Sequence, residues 1–161
     1  MIQVAVIGGG EAGDGVLALA RGVGREIARA GCVLICGGLG GVMEASARGA
    51  KEEGGTTLAI LPGESKEEAN PYMDLRVVTA MSHARNAIIA RSADFLIAVG
   101  GEMGTLSEIA LALKEGKPVI VMECDSDIIN ALKEIRRENL FFALSPREAV
   151  KMGLKIIKTY I

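Results

Sequence analysis

Two charged residues occupy positions where their side chains could do chemistry. Arg85 lies in AMSHARNAIIARSAD and Glu108 in AVGGEMGTLSEIALALKEGKPV, each near the start of a helical pattern. A cation in a first helical turn opposes the macrodipole, so Arg85 needs another reason to stand there. Its planar donor fork, beside helix N–H groups, suits a phosphate or carboxylate clamp. Glu108 admits two readings. Thr105-Leu106-Ser107-Glu108 fits a capping box, in which the threonine caps the helix and the glutamate reaches back to the cap N–H. In the other, its carboxylate stands one turn inside a helix that opens on a glycine-lined cleft, where it could orient water or stabilise developing positive charge. Beside Arg85, Ser82 is the expected helix N-cap, and His83 is expected to be solvated or locally bonded rather than a base.

Glycines follow three apolar runs. Ile7 leads into Gly8-Gly9-Gly10, Cys36 into Gly37-Gly38-Leu39-Gly40-Gly41, and Val99 into Gly100-Gly101. An unneeded glycine in a regular element costs roughly 0.5–1 kcal/mol relative to alanine, so each cluster must relieve a tight turn or admit something close to the main chain. Taken together they point to one cleft of exposed backbone N–H groups suited to an anion. The candidate phosphate-binding residues are Gly9, Gly10, Gly38, Gly40, Gly41, Gly100, Gly101, Gly104 and Thr105, with the phosphate expected on the N–H groups from Gly101 to Thr105. Ordinary NAD binding does not fit, because GGGEAG matches the fingerprint loosely and Cys36-Gly37 stands where an acid should end the second strand. No G-x-x-x-x-G-K-[ST] run is present, which excludes a P-loop NTPase.

The elements that must position these residues alternate. QVAVI, CVLIC, TTLAIL, DFLIAV and PVIVM are short, nearly continuous apolar runs, as expected of parallel strands covered on both faces, and LRVVT adds a further short strand. Helical patterns cover 14–30, 42–53, 83–92, 105–115 and 126–138, and a last helix runs from Ser145, as N-cap before Pro146, to Tyr160. Strand–helix alternation predicts an α/β fold: a Rossmann-like, doubly wound, mostly parallel sheet in a three-layer α/β/α arrangement. Ligands of such sheets bind beyond the strands' carboxyl ends, where the strand order reverses. Residues 63–74 (GESKEEANPYMD) are expected to form a mobile rim of the cleft. Helix 83–92 and the LALAL face of 105–115 are expected to bury one another across a two-fold.

With 161 residues, half of them apolar, the chain fits a single domain spanning 1–161. A net charge of −2, with both signs interspersed, leaves no footprint for nucleic acid or an anionic membrane. The apolar stretches are too short to cross a bilayer and MIQVAVIGGG lacks a basic leader, so a soluble cytoplasmic protein is expected. Cys32 and Cys36 share a strand face and should be buried as small apolar residues, with Cys124 remote in sequence; beside one histidine they predict no metal site. No cofactor is expected. In particular, Lys51, Lys66, Lys114 and Lys117 all fall outside the glycine loops, so no lysine is placed for a pyridoxal phosphate Schiff base.

GGLGGVMEA at 37–45, residues 50–55, AILP at 59–62, residues 81–86 and GGEMGTLSE at 100–108 resemble, in order, the motifs of the LOG (Lonely Guy) superfamily, once labelled "possible lysine decarboxylase". The resemblance implies the same fold, a homodimer or higher homo-oligomer, and a small phosphorylated ligand. LOG proteins proper are phosphoribohydrolases that cut the base from cytokinin riboside 5′-monophosphates, and their catalytic arginine and glutamate fall on Arg85 and Glu108. The chain departs from that pattern in Val99, which replaces a proline, in an extra residue between Gly101 and Gly104, in the GGGEAGDG first loop and in a shorter following helix. These departures resemble a short branch of the superfamily near the molybdenum-cofactor carrier proteins, which bind a phosphorylated pterin without turning it over. The implied functions are hydrolysis of a nucleoside 5′-monophosphate or, as the alternative, non-catalytic carriage or sensing of a nucleotide or pterin-like ligand.

Overall fold

The computed structural model of the chain describes residues 1–122, 127–135 and 137–159. Cys124, the residues at 126 and 136 inside the last-but-one predicted helix, and Tyr160 lie outside them. In chain order the elements are β1 (Gln3–Gly8), α1 (Asp14–Arg29), β2 (Val33–Cys36), α2 (Val42–Glu52), β3 (Thr56–Leu61), β4 (Leu75–Val78), α3 (Asn86–Ser92), β5 (Phe95–Val99), α4 (Met103–Lys114), β6 (Val119–Met122), α5 (Asp127–Lys133), β7 (Leu140–Ala143) and α6 (Pro146–Thr159). Short 3-10 turns at Lys66–Glu68 and Ser82–Arg85 complete the order.

The strands form one sheet in the order β4-β3-β2-β1-β5-β6-β7, every neighbouring pair parallel. Alternate residues of each central strand feed opposite faces. Val4, Val6, Phe95, Ile97 and Val99 pack with α1, α2 and α6, whereas Ala5, Ile7, Leu96 and Ala98 pack with α3, α4 and α5. Both faces are covered, which is why the strands read as unbroken apolar runs. The chain winds from β1 outward to β4, then crosses back to place β5 on the other side of β1, with Gly8 in register with Val99. The strand order therefore reverses between β1 and β5.

Helix α1 crosses α2 almost backbone to backbone. A Cβ on Gly24 would collide with the Ser46 carbonyl, and one on Gly49 with the Arg21 carbonyl. Cys32 and Cys36 are buried in the same core as expected, and burial pushes the Cys36 thiol up to about 12. Ser145 caps α6 through its Oγ, which accepts from the Glu148 N–H at 3.3 Å, with Pro146 in the first helical position.

One expectation is corrected. Segment 63–74 is tied down and does not line the cleft described below. Ser65 and Glu68 close its 3-10 turn, and the Asn70 amide donates to the Gly38 and Leu39 carbonyls at 3.1 and 2.9 Å. Helices α3 and α4, expected to meet across a two-fold, pack on each other within the chain. There the Asn86 amide donates to Ser107 Oγ at 3.1 Å, and that hydroxyl donates to the Gly104 carbonyl at 2.7 Å.

Candidate functional site

At the β1–β5 reversal the strand ends and the starts of α3 and α4 enclose a cleft of about 170 Å³. Gly8, Gly9, Gly10, Gly37, His83, Arg85, Asn86, Glu102, Gly104, Thr105 and Glu108 line it, among others. Residues from the first two glycine clusters thus meet Gly104, at the start of α4, at one place. Of the predicted phosphate residues, Gly9, Gly10, Gly104 and Thr105 line this cleft, whereas Gly38, Gly40, Gly41, Gly100 and Gly101 do not. Gly41 abuts Gly9 and Gly10, and the adjacent Val42 N–H donates to the Gly9 carbonyl at 3.0 Å, so this loop braces the first one.

Arg85 and Glu108 converge. Arg85 ends the 3-10 turn that leads into α3, and Glu108 projects from the second turn of α4. Their residues are 8% and 7% exposed, and Nη1 of Arg85 stands 3.9 Å from Oε1 of Glu108. That separation is too long for a hydrogen bond, so the attraction is Coulombic only. Arg85 Nε is buried without any hydrogen-bond partner among the described residues. Burial pushes the Glu108 carboxyl up to about 7 despite the opposing pull of Arg85. The same burial lowers the Arg85 pKa, with Glu108 and Cys36 acting against it. An arginine remains a cation regardless, so the site holds a fixed positive charge beside an acid poised near neutrality.

The second glycine cluster contributes through a residue the sequence reading passed over. A Cβ at Gly37 would lie 2.5 Å from Arg85 Nη1 and 2.7 Å from Met43 Sδ, so only glycine leaves space for the guanidinium. The signal was available in the CGG at the end of β2, but its use depends on a side chain from far along the sequence. Glu102 was also missed. It lines the cleft with a side chain folded back over the first turn of α4.

The capping expectations fail in an informative way. Helix α4 begins at Met103, so Glu102 takes the cap position and Thr105 the third helical one, its hydroxyl accepting from the Glu102 N–H at 3.4 Å. Glu108 is thereby released from capping and faces Arg85. Ser82 is no cap either: it opens the 3-10 turn with φ of 51°, and Ala80 has φ of 52°. Two non-glycine residues in the left-handed region, each costing on the order of 1–3 kcal/mol, stand just before the arginine. The hydrogen bonds that hold this corner run from the Ala80 and Ser82 N–H groups to the Gly63 and Pro62 carbonyls, both 2.9 Å.

Other charged residues stand apart from the cleft. Arg91 pairs with Glu115 on the surface. Lys51, Lys66, Lys114 and Lys117 do not line the cleft, and Lys51 is engaged by Asp74 and Lys117 by the Ala93 carbonyl. A larger groove of about 430 Å³ lies between α1 and α2, but its arginines, the half-buried Arg21 and the exposed Arg48, are already paired with Glu52. No group of three or more His, Cys, Asp or Glu among the described residues is arranged to hold a metal ion. Among them also, no helix is long and apolar enough to cross a membrane.

Comparison with known proteins agrees with the LOG-superfamily resemblance. The SLOG cluster4 family model matches residues 1–150. A cytokinin riboside 5′-monophosphate phosphoribohydrolase of Rhodococcoides fascians is 36% identical over 95 residues, which are 56% of this chain and 48% of that protein. The chain thus spans about half the length of that relative. The structure of the molybdenum cofactor binding protein of Rippkaea orientalis superposes with a TM-score of 0.87 at 36% identity, covering 97% of both chains. The molybdenum cofactor carrier protein of Chlamydomonas reinhardtii gives a TM-score of 0.88 at 33% identity over 99% of both.

Proposed function

The chain belongs to the SLOG cluster4 family, and from that premise we propose that it hydrolyses the N-glycosidic bond of a nucleoside 5′-monophosphate in the β1–β5 cleft. One observation carries this reading: a guanidinium and a carboxyl, both more than nine-tenths buried, face each other at 3.9 Å in a cleft at the strand reversal. A purely structural pair would close to hydrogen-bonding distance, since a buried charge left loosely paired is destabilising.

At about 170 Å³ the cleft matches a ribose phosphate better than a whole nucleotide, leaving the base toward its mouth. The phosphate takes N–H groups at the first turn of α4 and the Gly9–Gly10 loop, so that binding energy comes from a part of the substrate that does not react. Water oxygen forms the new bond to C1′, the C1′–N pair leaves with the base, and a proton from water completes the base. Ribose 5-phosphate is the other product. Positive charge builds on the sugar as the C1′–N bond breaks. The ionised Glu108, poorly solvated at rest, gains most when that charge appears beside it, while Arg85 receives the negative charge of the departing base or holds the ribose phosphate.

The test is base release from a panel of purine and pyrimidine 5′-monophosphates by the native protein, Arg85→Ala and Glu108→Gln. Each substitution should lower the rate about 10²–10³-fold. Equal rates in all three proteins reject the assignment. A second reading, non-catalytic carriage of a phosphorylated ligand, is favoured by the whole-chain likeness to the two molybdenum cofactor proteins. In that case a bound nucleotide or pterin raises the melting temperature and is recovered intact.

A further inference from the structure

Glu102 introduces a negative charge where an incoming phosphate would need a positive one. Its backbone is extended, with φ of −125° and ψ of −174°, and its carboxylate turns back to face the Thr105 N–H in a capping box. It also overhangs the first glycine loop: a Cβ on Gly9 would lie 3.1 Å from Oε1 of Glu102. The N–H groups at the start of α4 lack intrahelical acceptors and favour an anion, and here the protein supplies that anion itself.

A second observation shows that the cleft is built for something more. Arg85 Nε, on a side chain only 10% exposed in the same cleft, has no partner among the described residues, although a buried donor left unpaired is costly. Glu102 does not satisfy it. The cleft therefore contains an unspent cationic donor and a carboxylate turned back toward the helix N-terminus. We propose that Glu102 is a specificity-determining residue: its carboxylate is an internal stand-in for the ligand's phosphate, which must displace it, so Glu102 sets how strongly the site prefers phosphorylated over unphosphorylated sugar. Glu102 is exposed and precedes the helix, so it can swing outward without disturbing the core. Arg85 and Glu108, both buried, cannot move in this way.

This inference rests on the cleft being a phosphate site. The experiment measures binding of ribose 5-phosphate, inorganic phosphate and ribose by calorimetry to the native protein, Glu102→Gln, Glu102→Ala and Arg85→Ala. Removing the competing charge should tighten ribose 5-phosphate and phosphate about tenfold or more in both Glu102 variants. Ribose affinity should stay unchanged, and Arg85→Ala should lose the phosphorylated ligands. If native protein binds ribose 5-phosphate, Arg85→Ala does not, and the Glu102 variants bind equally or more weakly, the inference fails while the cleft remains a phosphate site. Failure of every protein to bind either phosphorylated probe overturns the phosphate site itself and the role of Glu102 with it.

Discussion

Replacing Glu108 by glutamine measures what an ionised carboxyl costs inside the cleft. The residue is 7% exposed, and burial pushes its carboxyl from an ordinary 4.5 up to about 7, with Arg85 pulling the other way. Between those two values the native protein keeps a proton that the unfolded chain has released. The stabilisation is therefore full below about 4.5 and is lost as the pH rises through about 7. The interval corresponds to about 3 kcal/mol. Glutamine mimics the protonated acid at every pH, so the two proteins should melt together near the acid end of the range. As the pH climbs to about 8.5 the variant should gain on the native protein by up to about 3 kcal/mol, or roughly 6–12 °C for a domain of this size. Thermal denaturation of both proteins in a series of buffers from about pH 5 to about pH 8.5 reads this directly. A pH-independent gap, or a native protein that gains on the variant with rising pH, would mean that the field of Arg85 outweighs burial, and the reasoning about a proton held near neutrality would be refuted.

Gly37→Ala should push the Arg85 guanidinium out of its seat, because the new Cβ would lie 2.5 Å from Nη1. About 1–3 kcal/mol of stability should be lost, seen as a lower melting temperature, together with affinity for ribose 5-phosphate by calorimetry. Gly24→Ala, which drives a methyl into the Ser46 carbonyl at the α1–α2 crossing, should cost about 1–3 kcal/mol in denaturant unfolding. Its control is Gly15→Ala in the same helix, where no atom of the described residues lies within 4 Å of the new methyl, and which should raise stability by about 0.4–1 kcal/mol.

Much of the architecture was legible because its causes are local. Short apolar runs such as QVAVI and PVIVM state that a strand is covered on both faces, and Ser145 before Pro146 marks where α6 starts. Even the convergence of the glycine turns follows from parallel strands whose carboxyl ends share one edge. The roles inside the site were less accessible. Thr105 and Glu108 matched a capping box, yet the helix began two residues earlier and gave that position to Glu102. Boundaries of this kind depend on which N–H groups find acceptors after the loop has closed, and a spacing rule does not contain that information.

The amino-acid order by itself determined the alternating elements, the sheet that they form, the two charged residues at helix starts and the glycine-rich strand ends, since each is written in neighbours a few positions apart. Only the tertiary structure decided that Gly37 makes room for Arg85, that Glu108 is buried opposite it, and that Glu102 sits on the helix N-terminus. The first two of those facts join residues that lie far apart along the chain, and the energies involved, desolvation and Coulomb attraction at a few ångströms, exist only once the packed sheet has excluded water between them.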